Sequence, residues 1–232
     1  MSEPEHDPTA SLDAAGRAAM QTVLELLAAE RSSVSSVLQP DQGWKVHVAD
    51  SLSGLEVRDL REAGRIADVG AGAGFPGLPL AVALPAARVD LIESVGRKCG
   101  FIERAVAAAG IANARVLNAR SEEWAAPVAE GREAYDAVTA RAVGRLSTLA
   151  ELASPLLRDG GVLVAWKGRR DTDEERQVER AAEALAMRPE TILDVGPYAG
   201  SRNRHIHVLR KTGATPNDLP RRPGIAKKRP RG

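Results

Sequence analysis

Residues 66–77 read Ile66-Ala67-Asp68-Val69-Gly70-Ala71-Gly72-Ala73-Gly74-Phe75-Pro76-Gly77: a short apolar run containing one acid, then glycines at alternate positions. The run predicts a buried strand, and the glycines predict a tight turn opening onto a helix over Leu78 to Leu84. Closely spaced glycines let a backbone turn sharply and approach a ligand with no Cβ in the way. Glu93 ends the next apolar run, Val89-Asp90-Leu91-Ile92, and stands 19 residues beyond Gly74. A carboxylate in that position accepts hydrogen bonds from both hydroxyls of a ribose. Loop and acid together predict an adenosine-binding crevice at the carboxyl ends of parallel strands. The plainer alternative is a structural turn with a solvated Glu93.

Working outward, the same alternation continues. Helical patterns over Arg97 to Ala109, Ser121 to Trp124 and Leu146 to Leu157 alternate with strand-like runs at Ala114 to Leu117, Ala137 to Thr139 and Val162 to Trp166. Such alternation predicts an α/β fold with a mainly parallel sheet covered on both faces. After a charged helix over Asp173 to Met187, the runs Glu190 to Val195 and His205 to Leu209 are joined by a short segment containing Gly196, Pro197 and Gly200. That pair reads as a closing antiparallel hairpin. Upstream, Met20, Val23, Leu24 and Leu27 recur at helical spacing within Leu12 to Leu38, and further helices are expected over Trp44 to Leu55 and Val57 to Ala63. The expected organisation is an N-terminal helical extension (1–63), a central domain (64–211) and a basic, flexible tail (212–232) too rich in Pro, Gly and charge to pack.

Composition narrows the function. At 232 residues, 44% hydrophobic and 27% charged, the chain suits one domain with short appendages. Three Trp, two Tyr and two Phe are too few for a row of base-stacking platforms, so any nucleic-acid contact relies mainly on charge. The single cysteine, Cys99, excludes an internal disulfide and a thiolate-built zinc site, and no metal is expected. The acidic first residues form no secretory signal, and Val69 to Ala87, although uncharged, is interrupted by four glycines and three prolines. A cytoplasmic protein without a membrane anchor is expected. From Arg202 onward there are ten basic residues against one acid, whereas the preceding 201 hold 22 basic and 30 acidic ones. A basic end on an acidic body attracts a polyanion locally; the alternative is a solubilising tail.

The loop also satisfies the dinucleotide pattern G-x-G-x-x-G, so an oxidoreductase using NAD is one reading. Two features favour S-adenosylmethionine instead. Asp68 at the strand end repels a pyrophosphate but tolerates the ammonium-bearing methionine end of that cofactor. The closing hairpin also leaves no room for a separate substrate domain.

The string from Asp68 to Gly77, followed by Asp90 to Lys98, resembles the RsmG (GidB) family of bacterial 16S ribosomal RNA guanine-N7 methyltransferases. Further resemblances lie in His47-Val48-Ala49-Asp50-Ser51-Leu52, Arg120-Ser121-Glu122-Glu123, Ala140-Arg141-Ala142, Ala165-Trp166-Lys167-Gly168 and Pro220-Arg221-Arg222-Pro223-Gly224. Together they cover the chain from about Trp44 onward. Two departures are the absence of the family's Asn-Leu-Thr element between Arg31 and Gly43, and Val46 where a basic residue often precedes the histidine.

The resemblance implies a Rossmann-like class I S-adenosylmethionine-dependent methyltransferase. It implies cofactor contacts at Gly70, Phe75, Ser121, Glu122 and Arg141, which join Asp68, Gly72, Gly74 and Glu93. Ser121 and Glu122 suit the adenine edge, and Phe75 suits a pocket wall. Arg141 suits the cofactor carboxylate or a substrate phosphate; the alternative is a structural ion pair at a strand end. The implied partner is 16S ribosomal RNA or the small ribosomal subunit, with Lys167, Arg204, Arg221 and Arg222 as candidate RNA-facing charges and a monomer as the default. Guanine N7 carries an unprotonated lone pair, so no general base or nucleophile is required of the protein. His47 and Asp50 are accordingly expected to tie the N-terminal helices to the sheet, and Cys99 to lie in the core. A non-catalytic RNA-binding module stays open as a further reading.

Overall fold

A computed structural model describes residues 7–30 and 39–231. Seven strands form one sheet in the order β3-β2-β1-β4-β5-β7-β6: β1 (Arg65–Val69), β2 (Arg88–Glu93), β3 (Ala114–Asn118), β4 (Tyr135–Arg141), β5 (Leu157–Lys167), β6 (Met187–Asp194) and β7 (His205–Lys211). The first five are parallel; β7 runs antiparallel between β5 and β6. The expected hairpin is present, and its returning strand is the one that joins the sheet.

Side-chain alternation decides which layer each strand residue enters. Ile66, Val89, Leu91, Ala137, Val162 and Val164 face one side. Ala67, Val69, Ile92, Val138, Leu163 and Ala165 face the other. The first face is covered by α1 (Ala14–Ala29), by α2 (Pro40–Gly43) leading through a π-helical stretch (Trp44–Ala49) into α3 (Asp50–Leu52), by α4 (Arg58–Arg61), α5 (Gly77–Ala83) and α6 (Gly96–Ala109). Asp13 caps α1 by accepting from the Gly16 amide at 2.7 Å, and Met20, Val23, Leu24 and Leu27 bury its apolar stripe. The helix expected over Leu12–Leu38 is thus seen over Ala14–Ala29; residues 31–38 lie outside the described ones. The second face holds α7 (Ser121–Trp124), α8 (Leu146–Ala153) and α9 (Thr172–Leu185). No helix among the described residues is long and apolar enough to cross a membrane.

The tail expected to be unpacked is packed. Thr215, Leu219 and Ala226 are buried, and a short helix, α10 (Ile225–Lys228), lies against α8. The body supplies acids for it: Glu133 accepts from the Thr215 amide and hydroxyl at 2.7 and 2.6 Å, and Glu151, 2% exposed, receives both arms of Arg221 at 2.5 Å. Composition alone hides this, because charge and proline content say nothing about where complementary carboxylates stand.

Candidate functional site

The chain leaves β1 for β2 and β3 on one side and returns to β4 on the other, so the sheet reverses its winding between β1 and β4. Ligands of doubly wound sheets bind at the carboxyl ends of the strands beside that reversal. The 70–77 loop starts there. Gly70 and Ala71 donate to the Ile92 carbonyl at 2.9 and 3.2 Å, and Gly70, Gly72 and Gly74 have φ of +71°, +63° and +93°. This left-handed backbone is what the alternate glycines encode.

A cleft of about 170 Å³ opens over these strand ends, walled by Val69, Gly70, Ile92 and Ser94, by Ala119 to Glu122, and by Val143, Thr148 and Leu152. Ser121 donates to Glu122 Oε2 at 3.3 Å, which places hydroxyl and carboxylate together in the cleft lining. The donor and acceptor set fits a nucleoside carrying an amino-acid arm: close backbone approach at Gly70, and an acceptor pair at Ser121 and Glu122 for an exocyclic amine.

Several of the expected contact residues also hold the loop and the strand ends in place. Asp68 is fully buried beneath the loop, with Oδ2 accepting from the Gly77 amide at 2.9 Å and Oδ1 from the Thr139 hydroxyl at 3.0 Å. It shapes the turn through these two bonds. Glu93 stands at the end of β2 and accepts from the Gly72 and Val95 amides at 3.0 and 2.8 Å. It therefore braces the loop, with lone pairs to spare for ribose hydroxyls. Phe75 is 5% exposed and stacks on His47 at 4.6 Å, so it joins the loop to the N-terminal helices. Cys99 is buried as expected.

Arg141 also turns inward. One arm donates to Asp50 Oδ2 at 2.8 Å and to the Val46 carbonyl at 3.1 Å, and its guanidinium carbon sits 5.7 Å from the Phe75 ring centroid. The Asp50 carbonyl accepts from Trp166 Nε1 at 2.7 Å. The strand-end ion pair is the reading the geometry favours, and His47 and Asp50 do tie the helices to the sheet, with Arg141 as the shared partner. A second cleft, of about 190 Å³, lies on the other side of the β4 end among Arg141, Gly144, Lys167, Val195, Arg204 and His205. Lys167 is paired with Glu174 at 2.7 Å, while Arg204 reaches the Tyr198 hydroxyl at 3.1 Å. Of the expected RNA-facing charges Arg222 is exposed, and Arg221 is an anchor.

Burial raises the Asp68 carboxyl to about 6, against the lowering effect of its two hydrogen bonds. An unfolded aspartate releases its proton near pH 4, so between about pH 4 and 6 the folded state binds the extra proton, and stability falls as pH rises through that window. Asp68→Asn keeps an acceptor for Gly77 and a partner for Thr139. Its urea midpoint is expected to lose this component, so that the difference between variant and parent grows in favour of the variant from pH 5 to pH 7. An unchanged difference across that range refutes the assignment.

The sequence reading missed the α8 wall, Thr148 and Leu152, and the C-terminal wall, Gly224, Ala226 and Lys227. The available signal for the second was the Pro220-Arg221-Arg222-Pro223-Gly224 string itself, a turn sequence set beside an acidic body.

Comparison with known proteins follows this geometry. Residues 19–206 match the family described as rRNA small subunit methyltransferase G (GidB). A protein of Rubrobacter xylanophilus named Ribosomal RNA small subunit methyltransferase G is 44% identical over 203 residues, 86% of this chain and 77% of that protein. One of the same name from Pelotomaculum thermopropionicum is 40% identical over 185 residues, 79% and 77% of the two chains. Among solved structures, the fibrillarin pre-rRNA processing protein of Methanococcus jannaschii superposes with a TM-score of 0.54 over 71% of this chain and 74% of that one, at 19% identity. A SAM-dependent O-methyltransferase of Thermotoga maritima gives 0.56 over 84% and 72%, at 14% identity. These structural likenesses are of fold.

Proposed function

The chain belongs to the rRNA small subunit methyltransferase G family, and from that premise we propose that it methylates N7 of one guanine in the 16S RNA of the small ribosomal subunit. The observation that carries the reading is the pair of clefts flanking the chain just after β4, one lined by Val143 and the other by Ala142 and Gly144. The first, from Gly70 to Glu122, suits S-adenosylmethionine; the second, bordered by Lys167 and Arg204, suits a nucleotide of an RNA chain.

When bound, S-adenosylmethionine supplies an electrophilic methyl group on a cationic sulfur. The residues' work is positional. Guanine N7 would accept the methyl group without losing a proton, so no general base is required of the chain. Alignment and preorganised charge are therefore what the protein contributes. Gly70 permits close approach in the first cleft, which Ser121 and Glu122 also line. The Asp50–Arg141 pair, bonded to Trp166 and stacked by Phe75, keeps a wall of the second cleft rigid. Lys167 and Arg204 supply phosphate contacts, which orient RNA without choosing its sequence.

The test is transfer of labelled methyl to small subunits from cells lacking their own enzyme, with the product nucleoside identified by mass. N7-methylguanosine at one position, lost in Glu122→Ala, is the expected result. Donor binding without any labelling of 16S RNA rejects the substrate, and labelling at another base atom rejects the N7 assignment.

A further inference from the structure

The C-terminal segment closes the nucleoside end of the first cleft through the residue expected to read adenine. The Gly224 amide donates to Glu122 Oε1 at 2.8 Å, and Gly224, Ala226 and Lys227 line the cleft opposite Ser121. The segment is fastened from beneath. Arg221 grips buried Glu151 with both arms and donates to the Arg229 carbonyl at 2.7 Å, while Thr148, itself lining the cleft, donates to the Ala226 carbonyl at 3.3 Å. The segment is also cationic: Arg222, Lys228 and Arg229 are exposed, as is Lys227 at the cleft itself. The segment lies beyond residue 206, where the family match ends, while its anchors Glu122, Thr148 and Glu151 lie within the match.

We propose that residues 220–229 are a closing wall of the cofactor site whose exposed cations bind RNA phosphates, so that RNA and cofactor bind with positive coupling. The proposal rests on the methyltransferase reading above. Its direction follows from charge. Four like charges within eight residues repel one another and favour release of the segment, which only a few contacts oppose. Phosphates on these cations neutralise that repulsion without competing for Arg221, whose fork points inward to Glu151. RNA therefore holds the wall shut over the nucleoside. Linkage requires the converse: cofactor, by fixing Glu122 and Gly224 together, raises affinity for RNA by the same factor.

Two experiments on the full chain test this, with S-adenosylhomocysteine as the unreactive probe. Trypsin cleavage after Lys227 and Lys228 is expected to slow about fivefold or more when the probe saturates the protein, an effect in the range of ordinary couplings. Equal cleavage rates overturn the wall. In calorimetric titrations the probe is expected to bind about fivefold or more tightly with saturating 16S RNA than without it. The triple variant Arg222→Gln, Lys228→Gln, Arg229→Gln is expected to bring its own ratio of the two constants close to one. A ratio near one in the parent, or an undiminished ratio in the triple variant, overturns the coupling. Absence of any probe binding by the parent protein strikes instead at the methyltransferase reading, so the two failures are distinguishable.

Discussion

Gly70→Val abolishes cofactor binding while leaving a folded protein. Gly70 sits at φ +71°, and an added Cβ stands 2.8 Å from Cγ2 of Val143. Neither problem has a local remedy. A β-branched residue in left-handed backbone costs roughly 1–2 kcal/mol or more, and the turn cannot rotate without losing the Gly70 and Ala71 bonds to the Ile92 carbonyl. Val143, pushed away, moves into the cleft that it and Gly70 line together. Losing close approach and the shape of one wall is expected to weaken S-adenosylhomocysteine binding by about 100-fold or more, equivalent to about 2.7 kcal/mol. Calorimetry reads the affinity and thermal unfolding reads the fold. Gly110→Ala is the control: it has nearly the same φ, +65°, but nothing within 4 Å of its added Cβ. It should cost about 1 kcal/mol of stability and leave affinity as it was. If Gly70→Val binds the probe within a factor of three of the parent, the first cleft is not the cofactor site.

Arg141→Ala destabilises the fold as well as the enzyme. Asp50 is buried, its side chain 4% exposed, and Arg141 supplies its close ionic partner at 2.8 Å; Arg204 stands off at 3.9 Å. Removing one member of a buried pair strands the other, at a cost of about 3 kcal/mol. Urea unfolding followed by tryptophan emission is a direct reading, because Trp166 donates to the backbone carbonyl of Asp50. The double variant Asp50→Leu, Arg141→Met removes both charges and is expected to recover most of the lost stability but not methyl transfer, since a wall of the second cleft loses its polar groups. A single variant as stable as its parent refutes the ion-pair role. A fully active double variant refutes the part given to the pair in positioning.

How far the site was legible varies residue by residue, and the reasons are physical. Alternate glycines after an apolar run have few uses, so the loop and its left-handed turns were readable from Gly70 to Gly77. The regular spacing of strand-like and helical runs was readable because burial on both faces forces apolar residues into each strand. The bonds that bury Asp68 were not legible. A carboxylate at a strand end looks the same in sequence whether it faces a ligand or caps amides under a turn, and only the backbone trace brings Gly77 and Thr139 onto it. Arg141 was expected at the cofactor carboxylate or a substrate phosphate, with a strand-end ion pair as the alternative, and the partner that favours the ion pair lies 91 positions away. The tail misled most, since its packing depends on Glu133 and Glu151, which sit in different elements of the body.

The position of β7 has a consequence for how the chain is made. β7 lies between β5 and β6 although it follows both in sequence. Each of β2 to β5 pairs with a strand that precedes it in the chain, whereas β6 pairs only with β7, which follows it. β6 waits until His205–Lys211 has been delivered, at which point β7 zips to β5 and β6 together. The cleft wall at Gly224 comes later still. A growing chain can therefore complete the sheet and its glycine loop before the residues that line the cleft beside Glu122 have been made.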